Sequence, residues 1–471
     1  MGSFYFVIAY IAILFAISAY FMKKAVASFD EYGYCGRSLT IGYIFFTYLG
    51  TWVGGGTIIG LVSKSYDYGA SQYWIIAMSC VVEIFFAVFF IERIRNTGVK
   101  SITEFFSLKF PKHNGIIRIP AAAAILIRNV TMVAMQLSAL SYLITFIFDI
   151  NRNLSLLLVF FVIVVYTVMS GLWGVAVTDV FQGLLQTACL IILSIVTVRV
   201  AGGFDSIEQY YTADSSPLNL FSTNLKWHEI LLYIIAFGLF FLMNDQVNWE
   251  RIYASKGEKT AKWGFMIPLV VTMMSLVAVA YLGVFQRVVF NGEAESQSVL
   301  YSFIFGLGGS KLMLVVMVGL IASIMSSADS FLLASGVLIS EDIIKKFVIP
   351  DASDKEIIFF ARIFVIVTGS IAFAFALNVE DILYLWLLGI GMTSVILIPG
   401  YFLTWFGKRE ATESILAGMI AGTIYVALMI FGVIDFGAAQ VCIGMLINFC
   451  ISILPVNSVI NALPIKSDNH R

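Results

Sequence analysis

Two short stretches, far apart in the chain, carry the residue types that could do chemistry. One is LIASIMSSADSFLLASG, Leu320 to Gly336. Ser323, Ser326, Ser327 and Ser330 recur there at i, i+3, i+4 and i+7, so on a helix they share one face, with Asp329 beside it. Hydroxyls, main-chain carbonyls and one carboxylate are hard oxygen ligands. Their low total charge suits a monovalent cation, sodium, better than calcium, which takes roughly six to eight oxygens, several from carboxylates. A polar contact between two helices is the alternative for the serines. The other stretch is LGTWVGGGTIIG, Leu49 to Gly60, with three consecutive glycines at 54–56. Each glycine weakens a helix by about 1 kcal/mol relative to alanine. In lipid, freed backbone groups must find partners. Transporters use such breaks at mid-membrane, where free carbonyls and half-helix ends hold ions and substrate. Adjacent glycines do not fall on one helix face as small-xxx-small packing seams do, so a break is expected, with close packing as the alternative.

Other polar residues stand in apolar surroundings. Asp179 and Gln182 lie in GLWGVAVTDVFQG, Gly171 to Gly183. Asp179 either serves a site or caps the start of the helix that follows. A carboxylate at mid-membrane, like that of Asp329, marks a functional site by default. Glu83 and Arg128 each lie about a dozen residues into an apolar segment, roughly 15–18 Å deep at about 1.5 Å per residue. They either pair with each other, or Arg128 clamps a substrate carboxylate. Trp52 and Thr57 flank the glycines; the tryptophan offers a cation–π surface for an amine or is a core aromatic. Trp52 for an amine and Arg128 for a carboxylate would suit a zwitterion. Asp245 and Gln246, in MNDQVNWERIYASKG, serve the site or the end of the segment before them.

The elements that must position these groups are membrane helices. Of the 471 residues, 60% are hydrophobic and 12% charged, against roughly 25% charged in soluble domains. Apolar runs long enough to cross the hydrocarbon core number thirteen. They cover roughly 4–22, 41–66, 71–91, 117–147, 154–172, 176–199, 227–244, 264–286, 311–339, 357–377, 382–406, 412–432 and 437–460. Linkers at 201–226 and 287–310 are too short for a soluble domain, so residues 1–471 read as one transmembrane domain. Basic residues crowd alternate loops, among them Lys23, Lys24, Arg95, Lys100, Arg118, Lys256, Lys345, Lys408, Arg409 and the tail residues Lys466 and Arg471. Basic loops stay in the cytoplasm, which predicts an N-terminus outside the cell membrane and a C-terminus inside. Five scattered cysteines without a CxxC read as buried thiols, and three histidines in loops or helix ends do not make a metal or catalytic site. No phosphate-binding GxxxxGK[ST] loop occurs, and no basic tract points to nucleic acid.

These stretches, together with MNDQVNWERIYASKG and with FDEYGYCGRSL (Phe29 to Leu39), resemble the sodium:solute symporter family over nearly the whole chain. TWVGGG, MSSADS and ASDKEI look most like its choline-transporter branch. The sequence departs from that branch in having no tryptophan in the fourth span, and Asn244-Asp245-Gln246 in place of an aromatic at the end of the seventh. The resemblance implies an all-α polytopic protein of about 13 transmembrane helices. It further implies LeuT-type inverted five-helix repeats, 41–199 and 227–406, with one extra N-terminal and two extra C-terminal helices. It also implies a sodium ion held by the carbonyls of Gly50, Val53 and Ser323 and the hydroxyls of Ser326 and Ser327. A second sodium, known in some members, would fall at Asp179, Ser326, Asp329 and Ser330. The substrate residues would be Trp52, Thr57, Arg128, Glu83 and Asp245. The function expected is sodium-coupled import of a small polar solute, zwitterionic or amine-bearing, by alternating access, with sodium, solute and lipid as partners and no obligate protein partner. A proton-coupled transporter, a carboxylate importer and a transporter-like membrane sensor are the alternatives; the short tail leaves little for signalling, and no enzyme is expected.

Overall fold

Apolar sequence of this length can satisfy its backbone in lipid only by helices or a closed barrel. The computed structural model chooses helices. It describes residues 2–211, 228, 231–232, 234–238, 244–307, 311–379, 382–406, 412–435 and 437–454. Half of the seventh expected span, much of the 201–226 linker, Lys408, Arg409 and the tail with Lys466 and Arg471 lie outside the described residues.

In chain order the helices are α1 (Gly2–Ala25), α2 (Phe29–Tyr34), α3 (Ile41–Trp52), α4 (Gly55–Tyr68), α5 (Tyr73–Phe89), α6 (Ile91–Thr97), α7 (Ile102–Lys109), α8 (Arg118–Phe148) and α9 (Arg152–Val200). There follow α10 (Phe204–Tyr210), α11 (Gln246–Ala254), α12 (Glu258–Val289), α13 (Val299–Gly306) and α14 (Lys311–Leu338). The last are α15 (Asp354–Asn378), α16 (Ile382–Phe406), α17 (Thr412–Ile430) and α18 (Ala438–Ile453). Among the described residues there is no strand; one isolated parallel bridge joins Leu39 to Ser255.

Eight of these helices are long and apolar enough to cross a membrane, and nine with α3 and α4 taken as one bent span. Four of the thirteen expected spans are missing from that count, and the seventh is one of them because half of it lies outside the described residues. The 49-residue α9 would be about 74 Å long at 1.5 Å per residue, so it holds two expected spans. They meet at Gly171, whose φ of 55° and ψ of −159° break the helix. A side chain there would meet the Tyr32 carbonyl oxygen at 2.6 Å as well as carrying a left-handed backbone. The third and thirteenth expected spans form helices of 17 and 16 residues, a little short of the length that spans the core alone.

Outward faces stay apolar and exposed, as at Phe85, Phe89, Phe161, Ile191 and Met274, which is what lipid requires. Inward faces pack α14 along α9, α8 and α15, α16 along α8, and α12 along α3 and α4. The polar stretches are thereby brought to one place, where α3–α4, α8, α9 and α14 meet. Cys35, Cys80 and Cys189 are buried as expected, but Cys450 is exposed, because it faces outward near the end of the last helix.

Candidate functional site

The break at the glycines is real. α3 and α4 are bent by 47°. Val53 still closes the last turn, its N–H bonding the Leu49 carbonyl at 3.0 Å, but Gly54 is extended, with φ −75° and ψ −177°. The carbonyls of residues 50–53 therefore lose the amides that would have served them. Each finds a side chain instead. Gly50 O accepts from Ser326 Oγ at 3.1 Å and Ser327 Oγ at 3.0 Å. Thr51 O accepts from Ser327 Oγ at 3.1 Å, and Trp52 O from Thr57 Oγ1 at 2.8 Å. Val53 O accepts from Ser323 Oγ at 2.5 Å and Gln186 Nε2 at 2.9 Å. The freed Gly55 N–H donates to Gln136 Oε1 at 3.2 Å. The hydroxyls of Ser326 and Ser327 also reach Ser323 O at 3.1 and 3.3 Å. The five groups that the resemblance implies for sodium thus form one buried cluster of oxygens, and the serine face is turned to the break.

The glycines do more than open the helix. A Cβ on Gly54 would collide with Ser327 Oγ, one on Gly55 would stand 2.6 Å from Ile324 Cγ1, and one on Gly56 would collide with Met135 Sδ. Packing, set against the break in the sequence reading, is thus part of the same device. The lack of side chains lets α14 and α8 come close enough for their polar groups to meet the freed backbone. Gly54 itself sits at a φ open to any residue, so room and not backbone conformation is what excludes a side chain.

The second proposed set lies next to the first. Asp179 accepts from the Thr47 hydroxyl through Oδ2. Asp329 Oδ2 accepts from Tyr166 OH at 2.9 Å. The other carboxylate oxygens, Asp179 Oδ1 and Asp329 Oδ1, are buried without a hydrogen-bond partner. Ser330 Oγ lies 3.5 Å from Thr51 Oγ1. A buried carboxylate oxygen left bare is costly, and two of them beside a hydroxyl are a donor set that fits a hard cation. Asp179 is no helix cap: it lies eight residues past the kink at Gly171, inside continuous helix.

Beyond the break lies a small cavity lined by Thr51, Trp52, Thr57, Arg128, Met132, Gln136, Asp245, Phe331 and Trp386, among others. Its free volume of about 20 Å³ is that of one or two waters, so the walls are closed together. Arg128 Nη2 and Asp245 Oδ2 pair across it at 2.9 Å, both side chains at most 2% exposed. Asp245 also caps α11, its Oδ1 accepting from Val247 N–H at 2.9 Å. Of the two alternatives for Arg128, the pairing with Glu83 is not formed. Glu83 accepts from Tyr48 OH at 2.6 Å, and Tyr48 stacks on Trp52 with centroids 5.6 Å apart. Glu83 does not line the cavity; it stands behind Trp52. Of the residues offered for substrate, Trp52, Thr57, Arg128 and Asp245 line this cavity, together with Gln136, Trp386, Phe331 and Met132, which sequence reasoning did not offer. Gln136, like Asn129 a buried amide in a long apolar helix, was the signal available.

A model of the sodium:solute symporter family matches residues 32–443. The chain belongs to the sodium:solute symporter family. It is 25% identical over 430 residues to the high-affinity choline transporter 1 of Caenorhabditis elegans, covering 85% of this chain and 71% of that one. It is 25% identical over 458 residues to a high-affinity proline transporter of Bacillus subtilis, covering 93% of each. A solved sodium-coupled sialic acid symporter shares the fold, with a TM-score of 0.83 at 18% identity and 98% of both chains covered. The protein is a multi-pass membrane transporter and not an enzyme.

For a symporter, the two ends of the path matter as much as the site. At the far ends of α4 and α8 a cavity of about 590 Å³ is lined by Ser63, Lys64, Asp67, Tyr142, Thr145 and Glu295, among others. The opposite end is sealed. Leu39 N–H bonds Ala254 O at 3.0 Å and Lys256 N–H bonds Leu39 O at 2.9 Å. Arg95 holds Ser255 through Nε–Oγ at 3.0 Å and Nη2–O at 2.9 Å. Lys100 pairs with Glu341 at 2.6 Å and Arg118 with Asp342 at 2.7 Å. Burial pulls the Lys100 ammonium down, but Glu341 more than offsets it and the group stands above its ordinary value. In the same region, after the seventh span, burial pushes the Glu250 carboxyl up to about 8, with the neighbouring Arg251 guanidinium working against it.

Proposed function

We propose that this family member is a sodium-coupled symporter that imports a small zwitterion by alternating access. The observation that carries the reading is the Arg128–Asp245 pair in the wall of the cavity beside the helix break. A buried ion pair is costly to desolvate and is weak evidence for stability. Between the oxygen cluster at the break and two tryptophans it makes sense as a pair that substrate opens. The substrate carboxylate takes the guanidinium, and its ammonium takes the Asp245 carboxylate or the face of Trp52. Sodium sits at Gly50, Val53, Ser323, Ser326 and Ser327, and a second sodium at Asp179, Ser326, Asp329 and Ser330. By binding between α3–α4 and α14, sodium would fix the geometry that presents Trp52 and Thr57 to solute. Thirteen crossings, the repeats 41–199 and 227–406, an outside N-terminus and a cytoplasmic C-terminus complete the proposal. The basic ends of α1, α6 and α8 and the helical segment Ile339–Val348 after α14 share the sealed end, which supports placing that end in the cytoplasm and the 590 Å³ cavity outside.

A second reading, a choline-like quaternary amine, is favoured by Trp52 and Trp386 facing one cavity and by the choline-transporting relative. Asp245 argues against it, since a quaternary ammonium has no N–H to give a carboxylate. Thermal stabilisation of the purified protein by a panel of amino acids, betaines, amines and carboxylates, in sodium and in potassium, separates the readings. Amino acids should stabilise it and do so more in sodium. Stabilisation by choline alone would select the amine reading, and by carboxylates alone a carboxylate importer. Stabilisation without any effect of sodium would turn the assignment to proton coupling or sensing.

A further inference from the structure

Arg251 has no part in the solute or first-sodium arrangement, yet it reaches the heart of the molecule. It comes from α11, and its side chain is 2% exposed. Its Nη2 donates to Ser330 Oγ at 2.7 Å and to Thr47 Oγ1 at 3.2 Å. Its Nε donates to Thr47 Oγ1 at 3.3 Å and its Nη1 to Val247 O at 3.3 Å. Glu250 stands 3.6 Å from Nη1. The Thr47 hydroxyl donates its own hydrogen bond to Asp179. Ser330 directly, and Asp179 through Thr47, are therefore held by a guanidinium. These are two of the four residues proposed for the second sodium. The remaining oxygens there, Asp179 Oδ1 and Asp329 Oδ1, are bare.

We propose that Arg251 is a tethered cation that competes with the second sodium for Ser330 and the Thr47–Asp179 pair. The inference rests on the second-sodium reading above. A guanidinium carries a delocalised positive charge and several donors, so it can stand in for a metal cation. Sodium arriving at Asp179, Asp329 and Ser330 meets a like charge already bonded to Ser330. Binding must push the guanidinium back toward Val247 and Glu250. That shift would loosen α11, whose last residues, with Ser255, hold the seal through Leu39, Arg95 and Lys256. Return of the guanidinium to Ser330 would in turn expel the ion. Arg251 is thus a positioning residue that tunes sodium affinity and couples the cation site to the sealed end.

The test uses the full-length protein in proteoliposomes. Solute uptake is measured against sodium for the parent, Arg251→Gln and Arg251→Lys, with melting temperatures alongside. The parent should give a Hill coefficient for sodium near 2. Arg251→Gln, with the competitor removed, should lower the half-saturating sodium concentration by about tenfold, within the usual range of site-to-site coupling, and slow turnover as release is delayed. Arg251→Lys keeps the charge without the planar fork and should fall between the two; it carries the test if the glutamine variant does not fold. A Hill coefficient near 1 in the parent would overturn the second-sodium reading and this one with it. A Hill coefficient near 2 with unchanged or weakened sodium affinity in the variants would overturn the tether alone and leave Arg251 a structural residue.

Discussion

Replacing Gly54 with alanine separates a glycine that opens a helix from a glycine that makes room. If its only task were to weaken the helix, alanine at a permissive φ of −75° would reduce the freedom of the unfolded chain and stabilise the protein by about 0.4–1 kcal/mol. The packing says otherwise. The new methyl would overlap Ser327 Oγ and stand 3.1 Å from both Ser327 Cβ and Gln136 Nε2. Overpacking of this kind costs about 1–3 kcal/mol, and turning Ser327 Oγ away from the carbonyls of Gly50 and Thr51 forfeits about 0.5–1.5 kcal/mol more. The net expectation is a loss of roughly 1–3 kcal/mol, with weakened sodium binding because the same hydroxyl is a proposed ligand. Removing that hydroxyl should relieve the collision, so Gly54→Ala on a Ser327→Ala background should cost much less. A double-mutant cycle on thermal unfolding should show favourable coupling of roughly 1–2 kcal/mol, within the range for residues in contact. A Gly54→Ala protein that melts at or above the parent, or a cycle with no coupling, would refute the reasoning.

Either Arg128→Gln or Asp245→Asn alone strands a buried charge and should lower stability by about 3–5 kcal/mol, with the double variant recovering much of it; uptake should be lost in all three, and melting curves with transport assays check both halves. Glu83→Gln with Arg128→Gln should show little coupling in the same assay, since Glu83 bonds Tyr48 and not Arg128. The Glu250 carboxyl stands near 8 instead of its ordinary 4.5, so the folded protein binds more protons than the unfolded chain between those values. Stability from this group is full below about 4.5 and declines as pH rises toward about 8; melting temperature against pH should be flatter in Glu250→Gln.

What the sequence reveals of this site is periodic or local. Four serines at helical spacing and three adjacent glycines each announce a feature within one segment, and the structure turns those two features to face each other. Ion-pair partners are harder to read, because Arg128 and Asp245 are 117 positions apart and depth in the membrane is the only clue available for a buried charge. Depth alone allows Arg128 to pair with Glu83 or to face substrate; the structure gives Glu83 a phenol behind Trp52, and no pattern in the sequence marks Tyr48 for that role. Asp179 shows a similar limit. A polar residue near the start of an apolar run looks like a cap, whereas the helix continues back to Gly171, whose positive φ sets the boundary. The inward reach of Arg251 carries no sequence signal for the same reason: its partners Thr47 and Ser330 lie 204 and 79 positions away.

Sodium-gradient-driven uptake in proteoliposomes tests the central claim most directly. The parent should accumulate an amino-acid solute against its gradient when sodium is outside, and not when potassium replaces it. Ser326→Ala with Ser327→Ala removes two hydroxyl ligands while keeping a good helix former at both positions, so it should fold yet need far more sodium for half-maximal uptake. Equal accumulation in potassium, or an unchanged sodium requirement in the double variant, would contradict the account of a sodium site built between the broken helix and the serine face.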